Sequence, residues 1–242
     1  MATKCARCPL RRLEMFVPMS PEEVRVMDRF KVGELTVDAG TPILQEGSNA
    51  LQLFTVLRGI GIRYKTTESG RRQVINFVFP GDFLGLQGSV REEMTHSIEA
   101  RSKMTLCVFN RSELFGFIKN NPERAYDIIW ACATEEHFLG EALTTLGQRT
   151  AMESVAWAVL RLFERAEGLG LVENATVELP LRQQDLADAL GLSLVHTNKT
   201  LSKLRERQFI GWTDGHITVP DTAKLADVAG VEVEAAQPRP LM

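Results

Sequence analysis

The chain has 242 residues, of which 44% are hydrophobic and 24% are charged, and its formal net charge is −3. This length allows one large domain or two of ordinary size, and the balanced composition excludes a disordered or fibrous chain. No apolar run approaches the roughly 18 residues of a membrane span, and the N-terminus lacks the apolar core of a secretory signal. We therefore expect a cytoplasmic protein with no membrane partner. The mild acidity argues against a basic coat over the whole chain, but it allows a local basic surface.

The N-terminal arm, residues 1–19, shows little periodic pattern. A short helix is predicted directly after it, because Ser20, Pro21 and Glu23 have the spacing of a capping box with proline in the first turn. Short β-rich runs separated by glycine-bearing turns follow from residue 33 to about residue 106, which indicates a β-sandwich or β-barrel. We assign residues 20–120 to this first domain.

A long helix is predicted over residues 121–149, with Asn121 as its cap and Pro122 at its first position. Its apolar residues recur at alternating spacings of four and three, which is a heptad seam typical of helices that pair with a second copy. Packing on the chain's own β domain is the alternative to this homodimer. The predicted interface residues are Ala125, Ile129, Cys132, Glu136, Leu139, Leu143 and Leu146.

A compact helical domain is predicted over residues 150–230. It opens with a second capping box at Thr150 and Glu153. Further along, two short helices meet at a turn over residues 191–193, in which Ser193 caps the second helix. Two short helices joined by a short turn that contains glycine have the arrangement of a helix-turn-helix.

The second helix of this pair concentrates positive charge, with four lysines and arginines against one acid between residues 194 and 207. Its inward residues are predicted to be Leu194, Thr197, Leu201 and Leu204. We expect His196, Asn198 and Lys199 to contact base edges and the distal cations to contact phosphates; an ordinary helical hairpin with a solvated basic face is the alternative. The predicted DNA-binding residues are Arg182, Val195, His196, Asn198, Lys199, Ser202, Lys203, Arg205 and Arg207.

A β-hairpin, or wing, is predicted after the basic helix. Residues 209–212 and 216–219 are strand-like, and Thr-Asp-Gly at residues 213–215 is a strong hairpin signal. The final residues, 231–242, contain proline and alanine without periodicity, and we expect them to form a mobile tail.

The order of these parts resembles the Crp/Fnr superfamily of bacterial transcription regulators over roughly residues 20–228. The most specific matches are PGDFLG at residues 80–85, and the segment from QDLA at residues 184–187 through Leu201. The resemblance implies an α+β fold with an N-terminal double-stranded β-helix sensor of the jelly-roll or cupin-like type, a long dimerisation helix and a C-terminal winged helix-turn-helix. It also implies three partners: double-stranded DNA with a near-palindromic operator, a second copy of the chain, and RNA polymerase. Activation and repression both stay open.

The chain departs from the family pattern at two places. Cyclic-nucleotide binders carry Gly-Glu in the phosphate cassette and an Arg-Ser pair before the next strand, whereas this chain has GLQG at residues 85–88 and Met94-Thr95. A cyclic phosphate would lose its guanidinium partner here, so we predict a signal other than a cyclic nucleotide. In the recognition helix, the family's common Glu and Arg are replaced by Val195 and Lys199, which predicts an unfamiliar half-site.

The cysteines suggest several interpretations. In oxygen-sensing members that resemble the fumarate-nitrate regulator, an N-terminal cysteine group and one cysteine of a late strand hold a four-iron cluster. Cys5, Cys8 and Cys107 match by position, and Glu14 stands by count at the missing third N-terminal cysteine. An iron–sulfur cluster with a redox-sensing role is therefore one hypothesis. Reversible oxidation of Cys5 with Cys8, and free thiols without a redox role, are the others.

Two further functions remain open on the sequence. A β-domain that regulates another protein would leave the basic helix without a role. A metal-dependent cupin-like enzyme would need clustered ligands, but His96, His137, His196 and His216 are widely scattered. The sequence contains no phosphate-binding Walker loop and no nucleophile motif, so we do not expect an enzyme.

Overall fold

The computed structural model describes residues 2–233 and 238–242. The chain divides into two compact units, the first comprising Met1–Lys65, Phe77–Glu135 and Pro238–Met242, and the second comprising Thr66–Asn76 and Glu136–Gln237. No helix within the described residues is long and apolar enough to cross a membrane. The fold class predicted from the sequence is confirmed: a β-roll is followed by a long helix and a winged helix-turn-helix.

The first unit is built on a β-roll of two four-stranded sheets, with strand orders β1-β8-β3-β6 and β2-β7-β4-β5. Residues 66–76, which comprise the turn after β4 and most of β5, are grouped with the second unit. The strands are β1 (Lys31–Val37), β2 (Pro42–Leu44), β3 (Gln52–Arg58), β4 (Gly61–Thr66), β5 (Arg72–Val78), β6 (Phe83–Leu84), β7 (Ser97–Ala100) and β8 (Met104–Asn110). The accompanying helices are α1 (Pro21–Phe30), α2 (Leu86–Arg91), α3 (Leu114–Asn120) and the start of α4 (Pro122–Gln148).

Two apolar clusters stabilise the β-roll. One lies between its strands and contains Phe54, Ile98 and Leu106. The other is aromatic: the ring of Phe30 stacks on those of Phe109 and Phe117, with centroids 4.9 and 4.0 Å away. These rings come from α1, β8 and α3, so the second cluster fixes the helices to the roll.

The capping boxes predicted from the sequence are confirmed at both helices. At α1, the Ser20 hydroxyl accepts from the Glu23 amide at 3.3 Å, and the Glu23 carboxylate accepts from the Ser20 amide at 2.7 Å. At α5 (Ala151–Gly168), Thr150 and Glu153 make the same reciprocal pair at 3.4 and 2.7 Å. These caps depend on neighbours three residues apart, so local sequence suffices to predict them.

The C-terminal residues differ from the mobile tail expected over residues 231–242. Within the first unit, the main chain of Arg239 donates to the Met15 carbonyl at 2.8 Å and accepts from the Val17 amide at 2.9 Å, and its guanidinium pairs with Asp82 at 3.1 Å. Met242 is buried in the aromatic cluster. Periodicity reports only regular structure, so it gave no sign of this docking; residues 234–237 lie outside the described residues.

The second unit is largely helical, and α5 is its most buried element. Its three-stranded antiparallel sheet has the order β10-β11-β9. The sequence did not predict α8, whose cap Asp221 accepts from the Lys224 amide at 3.0 Å. The remaining elements are β9 (Thr176–Glu178), α6 (Gln183–Leu190), α7 (Leu194–Glu206), β10 (Gly211–Thr213), β11 (His216–Thr218) and α8 (Thr222–Ala229).

Candidate nucleic-acid interface

Helices α6 and α7 form the predicted helix-turn-helix. Leu186, Ala187 and Leu190 bury the inner face of α6. Gly191 ends that helix in the left-handed conformation, with a φ of 63°, which glycine adopts without a side-chain penalty. The Ser193 hydroxyl then accepts from the His196 amide at 3.2 Å and caps α7, as predicted.

The inner face of α7 differs from the prediction at one position. Leu194, expected to face inward, is 39% exposed, and Thr200 is buried together with Thr197, Leu201 and Leu204. The Thr200 hydroxyl donates to the His196 carbonyl at 2.9 Å, which satisfies it inside the helix. A pattern of apolar residues alone does not identify a threonine that is satisfied in this way.

The outer face of α7 carries most of the predicted DNA-binding residues. Val195 is 79% exposed, and Ser202 and Asn198 are only half-buried. The Asn198 Oδ1 atom is buried without a hydrogen-bond partner among the described residues. Asn198 is therefore less available to a base edge than the sequence suggested. The predicted residues that are exposed besides Val195 are Arg182, His196, Lys199, Lys203, Arg205 and Arg207.

The wing lies directly after this helix. Strands β10 and β11 pair in antiparallel register, and the turn between them places Asp214 and Gly215 at φ values of 50° and 79°. Two successive residues with positive φ are typical of the tight hairpin that Asp-Gly favours.

Arg205 donates to the Ser202 hydroxyl at 2.9 Å, which fixes the guanidinium on the exposed surface of α7.

A contact that sequence analysis did not find holds the first helix of the motif. Within the second unit, the Arg72 guanidinium lies 2.8 Å from Asp185 and 2.7 Å from Asp188 on α6, and the Gln73 side-chain Nε2 donates to the Ala189 carbonyl at 3.0 Å. Asp185 is 1% exposed, so it depends on this cation. We call residues 66–76 the hairpin. Its partners are more than 100 residues away in sequence, and a single sequence carries no signal for that pairing.

The predicted dimer seam is exposed on the single chain. Ile129, Leu139, Leu143 and Leu146 are among the exposed large apolar residues, and so is Tyr126, which the heptad pattern did not include. The opposite face of α4 is used internally: in the second unit, for example, the Phe138 ring stacks on that of Trp157 at 5.8 Å. An exposed apolar stripe of this kind is typical of a protein interface.

The three candidate cysteine ligands are brought into one neighbourhood. Cys107 interacts electrostatically with both Cys5 and Cys8, and Lys31 lies among them, hydrogen-bonded to Cys107 and 2.7 Å from Glu34. Burial raises the pKa of Cys5 to about 12, and burial also raises the pKa of Cys107. Both thiols are therefore protonated at neutral pH.

These residues do not fit a four-iron cluster. Such a cluster is held by thiolates, usually four of them, and this neighbourhood offers three cysteines. Glu14, proposed to complete the set, is exposed. Across residues 2–233 and 238–242, no group of three or more histidine, cysteine or acidic residues is placed to hold a metal ion.

In the segment that corresponds to the phosphate cassette, the side chains pack against or bond to other residues of the chain. Met94 is buried in the apolar cluster between the strands, and the Thr95 hydroxyl bonds to the side chain of Gln87. Gly85 precedes α2 with a φ of 95°, and no charged side chain follows it at Leu86 or Gln87. At residues 85–88 and 94–95 the chain therefore has neither the Glu nor the Arg with which the family's cyclic-nucleotide binders hold the ligand.

The fold and the site define a DNA-binding regulator in which a β-roll is joined to a winged helix-turn-helix. Residues 34–121 match the cyclic nucleotide-binding domain family, and residues 153–228 match the Crp-like helix-turn-helix domain family. The chain is 26% identical to the transcriptional activator protein FnrL of Cereibacter sphaeroides, over 97% of this chain and 95% of the relative. It is 31% identical to the transcriptional activatory protein AadR of Rhodopseudomonas palustris, over 80% and 77% respectively.

A solved structure agrees with these relatives. FixK2 from Bradyrhizobium japonicum superimposes with a TM-score of 0.74 and 26% identity, over 84% of this chain and 98% of that one. The chain therefore belongs to the Crp/Fnr family of transcription regulators, as its sequence predicted. This membership excludes the cupin-like enzyme, and it implies DNA binding and homodimerisation.

Proposed function

We propose that two copies of the chain pair through α4 and place their α7 helices in successive major grooves of a near-palindromic operator, where they regulate transcription together with RNA polymerase. The exposed outer face of α7, with its cations on a capped and internally packed helix, is the observation that carries this proposal. Helix-turn-helix dimers bind half-sites about 34 Å apart, and the family's relatives are named as activators.

Individual roles follow from position on α7. His196 and Lys199 lie in its first two turns and are assigned to base edges, with a smaller contribution from Asn198. Lys203, Arg205 and Arg207 lie towards its end and are assigned to phosphates, as is Arg182 at the cap of α6. Ser202 supports Arg205 through the hydrogen bond between them.

The dimer seam supplies the second half of the proposal. Ala125, Cys132 and Glu136 complete the stripe formed by its large apolar members, and Glu136 fixes the register of the two helices. A signal in the β-roll then changes the pairing of α4, and the change reaches the recognition helices through the corner between α4 and α5, residues 147–150. When the distance between the two recognition helices matches the distance between the half-sites, both helices bind the operator at once, and this bivalency raises affinity.

The residues of the β-roll limit the classes of signal that this domain can sense. The absence of the family's Glu and Arg at residues 85–88 and 94–95 argues against a cyclic nucleotide, and three neighbouring cysteines fall short of the four thiolates that usually hold an iron–sulfur cluster. A thiol-based response involving Cys5, Cys8 or Cys107 stays compatible with their proximity. The proposed domains are residues 20–120 for the β-roll, 121–149 for the dimerisation helix and 150–230 for DNA binding, and the protein acts in the cytoplasm, where DNA is accessible.

Replacing Lys199 tests the proposed function. An operator is first selected from a pool of random duplexes, and binding is then measured by fluorescence anisotropy at several salt concentrations. We expect Lys199→Ala to weaken operator binding by about tenfold and to relax selectivity at one base pair, because a good base contact contributes roughly 1–3 kcal/mol.

Two variants serve as controls for Lys199. Lys203→Ala should weaken binding to all duplexes alike and reduce the salt slope by about one, as expected for a phosphate contact. Lys119→Ala removes an exposed lysine of α3 in the β-roll and should change neither property. An unchanged operator footprint with Lys199→Ala would contradict its role, and an absence of salt-dependent duplex binding by the unmodified protein would contradict the function itself.

A further inference from the structure

The first turn of α7 presents an apolar edge to the surroundings. Val195 is 79% exposed and Leu194 beside it is 39% exposed, although the rest of the outer face is polar or basic. We call these two side chains the apolar edge. In a helix-turn-helix, the N-terminal residues of the second helix are the ones that meet base edges, so the apolar edge lies where sequence is recognised.

The apolar edge is held in a defined position. Its helix begins at the Ser193 cap, with a hydroxyl–amide hydrogen bond of 3.2 Å, and is anchored by Thr197, Thr200 and Leu201, which are buried. Valine has two heavy atoms on Cβ and keeps one strongly preferred rotamer in a helix. A stiff side chain on a fixed helix discriminates between neighbouring groups better than a flexible one does.

Only one group in the major groove matches an apolar side chain. The four base pairs present hydrogen-bond acceptors and donors there, with the thymine 5-methyl as the apolar exception. Valine has no acceptor, so a cytosine amino group placed against it would lose its water without a replacement hydrogen bond. Contact with Val195 therefore favours thymine and disfavours cytosine at the same base pair.

We propose that Val195 is a specificity-determining residue that selects a T·A pair in each half-site through van der Waals contact with the thymine methyl group, with Leu194 covering the adjacent edge of that contact. This inference rests on the proposed function, because it requires α7 to enter the major groove. It adds the chemical identity of one base, and it explains why an exposed valine precedes the polar residues of the same helix.

The test removes the methyl group from the DNA without changing base pairing. The operator selected by the full-length protein is prepared with deoxyuridine in place of thymidine, one position at a time, and affinities are measured by anisotropy. At one thymine of the half-site we expect a loss of about three- to fourfold, the effect of one buried methyl group. Val195→Ala should bind the thymine operator more weakly and should be insensitive to deoxyuridine at that position.

Further variants make the result specific. Val90→Ala removes another exposed valine, in α2 of the β-roll, and should keep full sensitivity to deoxyuridine. Val195→Glu introduces an acceptor and should shift preference at this pair towards C·G. If deoxyuridine at no half-site thymine weakens binding, or if Val195→Ala keeps the same sensitivity, the inference is wrong. If the unmodified protein selects no sequence at all, the proposed function fails instead.

Discussion

His96 is a histidine that the β-roll keeps neutral. It is 4% exposed, and its Nε2 atom has no hydrogen-bond partner in the part of the chain that the structure describes. Burial, together with the positive charges of Arg63 and Lys65, lowers its pKa to about 3 from an ordinary value of 6.5. Protonating this ring would place a third positive charge beside two others, inside the protein.

The shifted pKa of His96 predicts a pH dependence of stability. Between pH 6.5 and 3 the unfolded chain binds a proton at this residue and the folded chain does not, so the free energy of unfolding falls as pH falls across that window. The expected loss is at most about 1.4 kcal/mol per pH unit. Denaturant melts of His96→Gln at pH 7 and 5 should show a shallower loss than the unmodified protein.

The exposed wing residue His216 provides the control for this measurement, since His216→Gln should keep the original pH slope. Carboxylates that titrate in the same range affect every variant equally, so the difference between slopes isolates His96. Equal slopes for His96→Gln and the unmodified protein would mean that His96 is already protonated or accessible in the folded state.

Single residues also show where prediction from sequence ends. The caps Ser20, Thr150 and Ser193 were predicted because each bonds to an amide three residues along the chain. The burial of Thr200 was not, because its hydroxyl is satisfied by a helix carbonyl and an apolar pattern does not register it. Local hydrogen bonds leave a signal in the sequence, whereas burial of a polar side chain depends on packing.

At the scale of elements, the strands and helices can be predicted from the sequence, but the long-range contacts between them cannot. The β-rich runs at residues 51–57, 61–65, 73–78 and 103–109 form β3, β4, β5 and β8 to within one residue, and the wing strands begin and end within two residues of the predicted ones. The ties that hold α6 to the hairpin and Arg239 to Asp82 join residues separated by more than 100 positions. The positioning of α6, and through it of the recognition helix, is therefore visible only in the structure.

The tie between the hairpin and α6 predicts a loss of both stability and DNA affinity in Arg72→Ala. Removing the guanidinium takes away the ion pair of the buried Asp185 carboxylate, which also accepts from the Arg182 amide at 3.0 Å. Breaking a buried ion pair costs roughly 3–5 kcal/mol, and we expect about 2–3 here because Arg72 is partly exposed. Thermal melts should show a lower Tm, and operator affinity should fall because α6 supports α7.

The neighbouring arginine provides a matched control for that experiment. Arg71 lies on the same hairpin and is exposed, so Arg71→Ala should leave the Tm within about 1 °C of the unmodified protein, as expected for a surface substitution. If Arg72→Ala and Arg71→Ala behave alike, the ion pairs with Asp185 and Asp188 contribute nothing to the unit. A loss of stability without a loss of affinity would show that α6 holds its place by apolar packing alone.

At the scale of the whole molecule, the order of parts was predictable because each part has its own period. Short β-rich runs with glycine turns indicated the β-roll, a heptad indicated α4, and two short helices joined by a turn that contains glycine indicated the helix-turn-helix. Residues 238–242 show the opposite case, since they follow the DNA-binding domain in sequence and yet belong to the first unit. A segment without regular secondary structure has no periodic pattern from which the unit that it packs against could be predicted.

The proposed regulation depends on the dimer, a property of the whole molecule. The seam on α4 predicts that dimerisation can be lost while each recognition helix still binds its half-site. Leu143 is 72% exposed on the single chain and Leu139 lies on the same stripe, so Leu139→Asp with Leu143→Asp places charge in the interface without disturbing the buried face of α4. Analytical ultracentrifugation should then show a monomer, whereas Thr144→Asp, at an exposed position beside the stripe, should remain a dimer. Affinity for the full operator should fall by about 10²- to 10⁴-fold as bivalency is lost, with affinity for an isolated half-site unchanged. A monomer that retained full operator affinity would show that one recognition helix suffices, and a persistent dimer would place the interface on another surface.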